Sequence, residues 1–175
     1  MSDSERADAL FREAIDWLGA DYGSHVFYFE RDIVYTLQNH LVAQIDAERR
    51  PFRVYNDYPI IPGRYRSLSV DLAIVSTTKE VLLAAEFKYE PCHRRIDLLK
   101  TKLPVTVWTE IMHDTQRVAQ FVQEGRAKDA YAVCIDEGNY LARRDLSIYE
   151  ERLAWAGKPH HDHDVSFVIT RRPRT

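Results

Sequence analysis

The chain has 175 residues, 45% hydrophobic and 29% charged, with 6 Gly, 7 Pro and a formal net charge of -3. A chain this long buries roughly 70% of its unfolded surface, so one core forms without disulfides or a structural metal. The composition excludes disorder and collagen-like repeats, no apolar stretch approaches the ~20 residues of a membrane span, and the acidic total argues against a non-specific nucleic-acid binder.

Ser2-Asp3-Ser4-Glu5 reads as a capping box, followed by apolar Leu10, Phe11, Ala14, Ile15, Trp17 and Leu18 at helical spacing. That pattern predicts a helix over about 4–18, ended by Gly19 and the Asp21-Tyr22-Gly23 turn. A second helix is expected from about Glu30 to Glu48, with Ile33, Val34, Leu37, Leu41, Val42 and Ile45 inward and Pro51 closing the region. From Phe52 the period changes. Strands are expected over Arg53 to Ile61, Leu68 to Val75 and Val81 to Tyr89, with Pro62-Gly63 and Ser76 to Glu80 as turns. Helix resumes around Thr109 to Lys128, a strand follows at Ala130 to Ile135, and the 141–170 segment reads as a helix (Leu146 to Ala156) and a last strand (Val165 to Thr170). The expectation is a single α/β domain over 1–175 with its core at about 30–135. The charged start, Met1 to Leu10, predicts no secretory signal, and Cys92 and Cys134, without metal-type spacing, suit reduced thiols in a cytoplasmic protein.

Two of the central strands carry charges that strand formation alone would not select. Asp71 stands among Val70, Leu72 and Ala73, and Glu86-Phe87-Lys88 follows the apolar run Val81 to Ala85. Side chains alternate along a strand, so Glu86 and Lys88 share a face about 6.6 Å apart. Asp71 is expected on a face with Ser69 and Ala73, opposite Val70, Leu72 and Ile74. If the two strands pair as a hairpin, Asp71 and Glu86 converge with Lys88 beside them. Two hard oxygen donors suit Mg2+ or Mn2+, which keep several waters as further ligands. The plainer reading is an Asp71–Lys88 ion pair on a solvated face.

These residues resemble the PD-(D/E)XK nucleases, the restriction endonuclease-like superfamily, in which an acid on one core strand precedes Glu-x-Lys on the next. Val70 stands where that family often has Pro, which is not a ligand. The resemblance implies a central mixed β-sheet flanked by α-helices and a Mg2+-dependent (or Mn2+-dependent) endonuclease. It implies Asp71 and Glu86 as metal ligands, the Phe87 carbonyl as a third, and Lys88 positioning the attacking water. It also implies Glu30 as a further acid from the preceding helix and Gln116 as a polar group from the following one. Inactive members share the fold, so a non-catalytic module binding nucleic acid or a protein partner is the second reading.

The expected substrate is DNA, with RNA left open. Its binding surface would be basic: Arg64 and Arg66 before the Asp71 strand, and His93, Arg94, Arg95, Lys100 and Lys102 after the Lys88 strand. Tyr55, Tyr58, Tyr65 and Tyr89 are candidates for base stacking, equally explained by strand packing. A homodimer is a habit of duplex cutters in that family; no membrane contact is expected. His160-His161-Asp162-His163-Asp164 could take a transition metal but reads as a solvated loop. Cys92-His93 has no nucleophile motif around it, and His40 and His113 read as helix surface or packing residues.

Overall fold

The computed structural model describes residues 1–61, 63, 68–97, 105–141, 143–144, 151–155 and 165–173. Three helices, α1 (Asp3–Asp21), α2 (Glu30–Ala47) and α3 (Trp108–Gln123), accompany six strands. The strands are β1 (Phe52–Ile61), β2 (Leu68–Ser76), β3 (Val81–Glu90), β4 (Asp129–Asp136), β5 (Glu151–Trp155) and β6 (Val165–Pro173). They form one mixed sheet in the order β1-β2-β3-β4-β6-β5. Only the β3–β4 pair is parallel. A parallel pair needs a crossover, and α3 supplies it.

Helices cover both faces. Leu72 and Ile74, Leu83, Ala85, Phe87 and Tyr89, and Tyr131, Val133 and Ile135 pack with α1 and α2. Ala73, Val75, Ala84, Ala130 and Ala132 take the other face, against Val118 and Phe121 of α3. Every residue of β4 is buried, as expected of an inner strand sandwiched between helices. This arrangement agrees with the expectation of an α/β fold with a mixed sheet flanked by helices. No helix among the described residues is long and apolar enough to cross a membrane.

The α1 capping box is formed as expected: Ser2 Oγ accepts from the Glu5 amide, and the Glu5 carboxylate accepts from the Ser2 amide at 2.6 Å. Gly19, however, does not end the helix, which runs on to Asp21. Its missing side chain makes room for Trp155, since an added Cβ would fall on the indole Nε1 and lie 2.7 Å from Cε2. Trp155 belongs to β5, and this corrects the helix expected over 146–156. The described part, Glu151–Trp155, is a strand paired antiparallel to β6. A helix of about eleven residues is marginal by propensity alone, whereas the edge of β6 offers Glu151–Trp155 a ladder of hydrogen bonds. Cys92 and Cys134 are both free and buried.

Candidate active site

The antiparallel ladder between β2 and β3 runs from Val75↔Val81 to Leu72↔Ala85 and stops there. Beyond that point Asp71 Oδ2 accepts the Phe87 amide at 2.7 Å, a carboxylate standing in for a ladder carbonyl. The expected face alternation breaks at the same place. Val70 packs with Ala73 and Val75 on the α3 side, not with Leu72 and Ile74. On the neighbouring strand β1, Asp57 stands between the Asn56↔Leu72 and Tyr58↔Val70 pairs, opposite Asp71, and adopts φ 49°.

Past the fork, β3 keeps its alternation. Phe87 and Tyr89 point into the α1/α2 core, and Glu86 and Lys88 point to α3, as the spacing predicted. Glu86 is 2% exposed, and its Oε1 lies 2.7 Å from Arg117 Nη2. Lys88 Nζ lies 3.0 Å from Asp114 Oδ2 and 3.4 Å from Glu30 Oε2. The same ammonium donates to the Phe87 carbonyl at 2.9 Å, so the expected third ligand oxygen is engaged by Lys88. Glu30 reaches the cluster from the first turn of α2, where the helix dipole favours an acid. Arg117 also donates to the Ser69 carbonyl at 2.9 Å, tying α3 to the start of β2.

Four carboxylates (Glu30, Asp71, Glu86, Asp114) thus share two cations (Lys88, Arg117), and burial first, then the charges of neighbours, sets how they titrate. Burial, then the Asp71 charge, pushes Glu86 up to about 9 against the pull of Arg117. Burial and Asp71 raise Glu30 to about 7, opposed by Lys88. Asp114 is raised as well, by burial, against Lys88 and Arg117. Burial would lower Lys88, but Glu30, Asp114 and Asp71 more than reverse it, so its pKa is raised and it stays an ammonium.

Among the described residues, no three His, Cys, Asp or Glu side chains are grouped so as to hold a metal ion. Asp71 and Glu86 are nevertheless close enough that the Asp71 charge helps raise the Glu86 pKa. Glu86 Oε1 and Asp114 Oδ2 are buried with no hydrogen bond, their ion-pair contacts lacking the geometry. Mg2+ is commonly held by one or two carboxylates with waters completing its shell. The Asp71–Glu86 pair and the orphaned Glu86 oxygen fit such an ion, whose charge would displace the proton that Glu86 holds near neutral pH.

The other expected site residues scatter. Gln116 is exposed on α3, one position off the inward stripe. Asp114 and Arg117 occupy the place foreseen for it, and the sequence carried their signal: buried Asp114 stands three residues after Ile111, and half-buried Arg117 four before Phe121. Arg95, expected on a basic surface, is 4% exposed. It binds Glu137 at 3.1 Å, the Phe27 carbonyl at 2.7 Å and Tyr89 Oη at 3.1 Å. His93 is half-buried, stacked on Tyr140 with its Nε2 on Glu90, while Arg94 is exposed. Of the tyrosines proposed for stacking, Tyr55 is exposed and Tyr89 is buried. His40 stacks on Trp17 and His113 is exposed. Arg64, Arg66, Lys100, Lys102, Tyr65 and the His160 to Asp164 cluster lie outside the described residues.

A cleft of about 1020 Å³ opens beside the cluster, reaching Glu30 and Asp71 and bordered by Tyr28, Phe29 and Tyr35. These aromatic residues were not foreseen. Comparison with known proteins finds no matching family model, curated protein or solved structure.

Proposed function

We propose that the chain is a metal-dependent nuclease hydrolysing phosphodiester bonds of DNA, on a restriction endonuclease-like fold. The observation that carries this reading is the fork between β2 and β3, where four carboxylates gather around Lys88 and Arg117 and their crowding and burial raise Glu86 and Glu30. Asp71 and Glu86 would hold Mg2+ or Mn2+, with Glu30 completing the shell through water. Such an ion supplies Lewis-acid polarisation of a phosphoryl oxygen and lowers the pKa of its water. Lys88, kept protonated by its carboxylate neighbours, orients the attacking water and offsets charge developing on the phosphate. It is a donor in this scheme and not a base. Asp114 and Glu30 hold its ammonium in place, and Arg117 tethers Glu86 until a metal competes for it.

The Glu86–Arg117 pair favours a second reading, a non-catalytic module binding nucleic acid or a protein partner. In that case Arg117 is a permanent substitute for the ion. Titration calorimetry with Mg2+ and Mn2+, alongside cleavage of plasmid and single-stranded DNA, separates the two. The nuclease reading expects metal binding and metal-dependent cleavage by wild type. Metal binding that emerges only in Arg117→Ala, with wild type inert on every substrate, would establish the second.

A further inference from the structure

We propose that Arg95 is a positioning residue, a clamp on the segment Phe27–Phe29 that sets where Glu30 stands against Lys88. The inference rests on the nuclease reading for what Glu30 does and adds what holds it there. A guanidinium as buried as that of Arg95 needs partners for its charge and for its N–H groups. Glu137, itself fully buried, answers the charge at 3.1 Å, and Asp97 adds a contact at 2.7 Å. The Nη1 that meets Glu137 also donates to the Phe27 carbonyl at 2.7 Å and to Tyr89 Oη at 3.1 Å. Tyr89 Oη donates to the same carbonyl at 3.2 Å, and the guanidinium lies 5.6 Å from the centre of the Tyr28 ring.

The clamp has a firm base. Glu137 directly follows β4, its amide donates to the Glu90 carbonyl at 2.9 Å, and its carboxylate also accepts from Tyr22 Oη and the Cys92 amide. β3 and β4 stay in register as far as Glu90↔Asp136, so that base belongs to the middle of the sheet. The gripped segment has little apolar anchorage of its own beyond buried Phe27, since Tyr28 and Phe29 are 43% and 54% exposed. Hydrogen bonds hold it instead: Arg95 and Tyr89 on the Phe27 carbonyl, and Asp32 on the amides of Tyr28 and Phe29 at 2.8 and 2.9 Å. α2 begins at the next residue, Glu30, whose Oε2 lies 3.4 Å from Lys88 Nζ. One strand therefore references both partners, Lys88 directly and Glu30 through its neighbour Tyr89. A misplacement of about 1 Å in a reacting group can cost on the order of 100-fold in rate, which makes such a reference consequential.

The test pairs hydrogen exchange of metal-free protein with single and double substitutions read in Mg2+-dependent cleavage. Arg95→Lys keeps a cation for Glu137 but loses the planar fork that also reaches Phe27. Tyr89→Phe keeps the buried ring, removes only the hydroxyl, and serves if Arg95→Lys fails to fold. Amide exchange over residues 27–33 should quicken at least ~10-fold in Arg95→Lys and at least ~3-fold in Tyr89→Phe, with β4 as protected as in wild type. Cleavage should fall about 10- to 100-fold in Arg95→Lys, yet by less than ~2-fold when the same change is made on Glu30→Gln, because Arg95 acts through that carboxylate. A merely structural arginine gives faster exchange throughout the chain and the same loss in both backgrounds. Either result overturns the inference, as does unchanged exchange at 27–33 in both variants. Metal-dependent cleavage by wild type alongside those results leaves the nuclease reading intact. Quickening confined to 27–33, with no cleavage by wild type in Mg2+ or Mn2+, supports the clamp and overturns hydrolysis.

Discussion

Glu86 is 2% exposed, faces another carboxylate in Asp71, and has a pKa pushed up to about 9. Together with Glu30, raised to about 7, it gives the molecule a pH signature. Both groups have folded pKa values above the unfolded value of 4.5, so the folded state binds more protons than the unfolded state between those limits. Their contribution to stability is complete below about 4.5 and is lost as pH rises through about 7 and then about 9. Thermal unfolding of metal-free protein should give a melting temperature that falls from pH 5 to pH 9. Added Mg2+ should reduce that fall by neutralising the same carboxylates, and Glu86→Gln should flatten it without metal. A melting temperature that is flat or rises over this range in wild type would contradict the charge imbalance.

At the scale of elements, Gly19 and Trp155 show how a local rule yields to packing. Glycine in a helix interior ordinarily costs about 1 kcal/mol relative to alanine, which is why Gly19 reads as a helix end. Here α1 continues through it, because only a hydrogen at that position leaves space for the Trp155 indole from the opposite end of the chain. Gly19→Ala should therefore destabilise by roughly 1–2 kcal/mol, overpacking outweighing the gain in helix propensity. Denaturant unfolding checks the sign, and a red shift in tryptophan emission would report a displaced indole. Stabilisation would mean that Trp155 does not pack there. The same comparison locates what was legible in the sequence. Helices α1 to α3 and strands β1 to β4 announce themselves by apolar period and turn residues within a few positions. β5 does not, since its pairing with β6 depends on an edge that exists only once the sheet has formed. Asp71, Glu86 and Lys88 were legible because charges in apolar strands need a reason. Asp114 and Arg117 could have been found as charges on the inward stripe of α3. The β2–β3 fork could not, because the end of a ladder leaves no mark in composition or period.

For the whole molecule, a net charge of -3 suggested a poor partner for nucleic acid. The structure brings Glu30, Asp71, Glu86 and Asp114 to one site with Lys88 and Arg117, where burial and mutual repulsion raise Glu86 and Glu30 instead of leaving all four charged. The basic surface read from the sequence is thinner than expected among the described residues, since Arg95 serves an internal network with Glu137, Tyr89 and Phe27. The central claim, that Asp71, Glu86 and Lys88 form a hydrolytic metal site, is tested most directly by single-turnover cleavage of single-stranded and plasmid DNA. Wild type and Lys88→Ala would be compared in Mg2+, in Mn2+ and with chelator. The account predicts cleavage by wild type only with metal, and a rate at least ~100-fold lower for Lys88→Ala. Cleavage that survives the chelator or is unchanged in Lys88→Ala, or no cleavage by wild type in either metal, would contradict it.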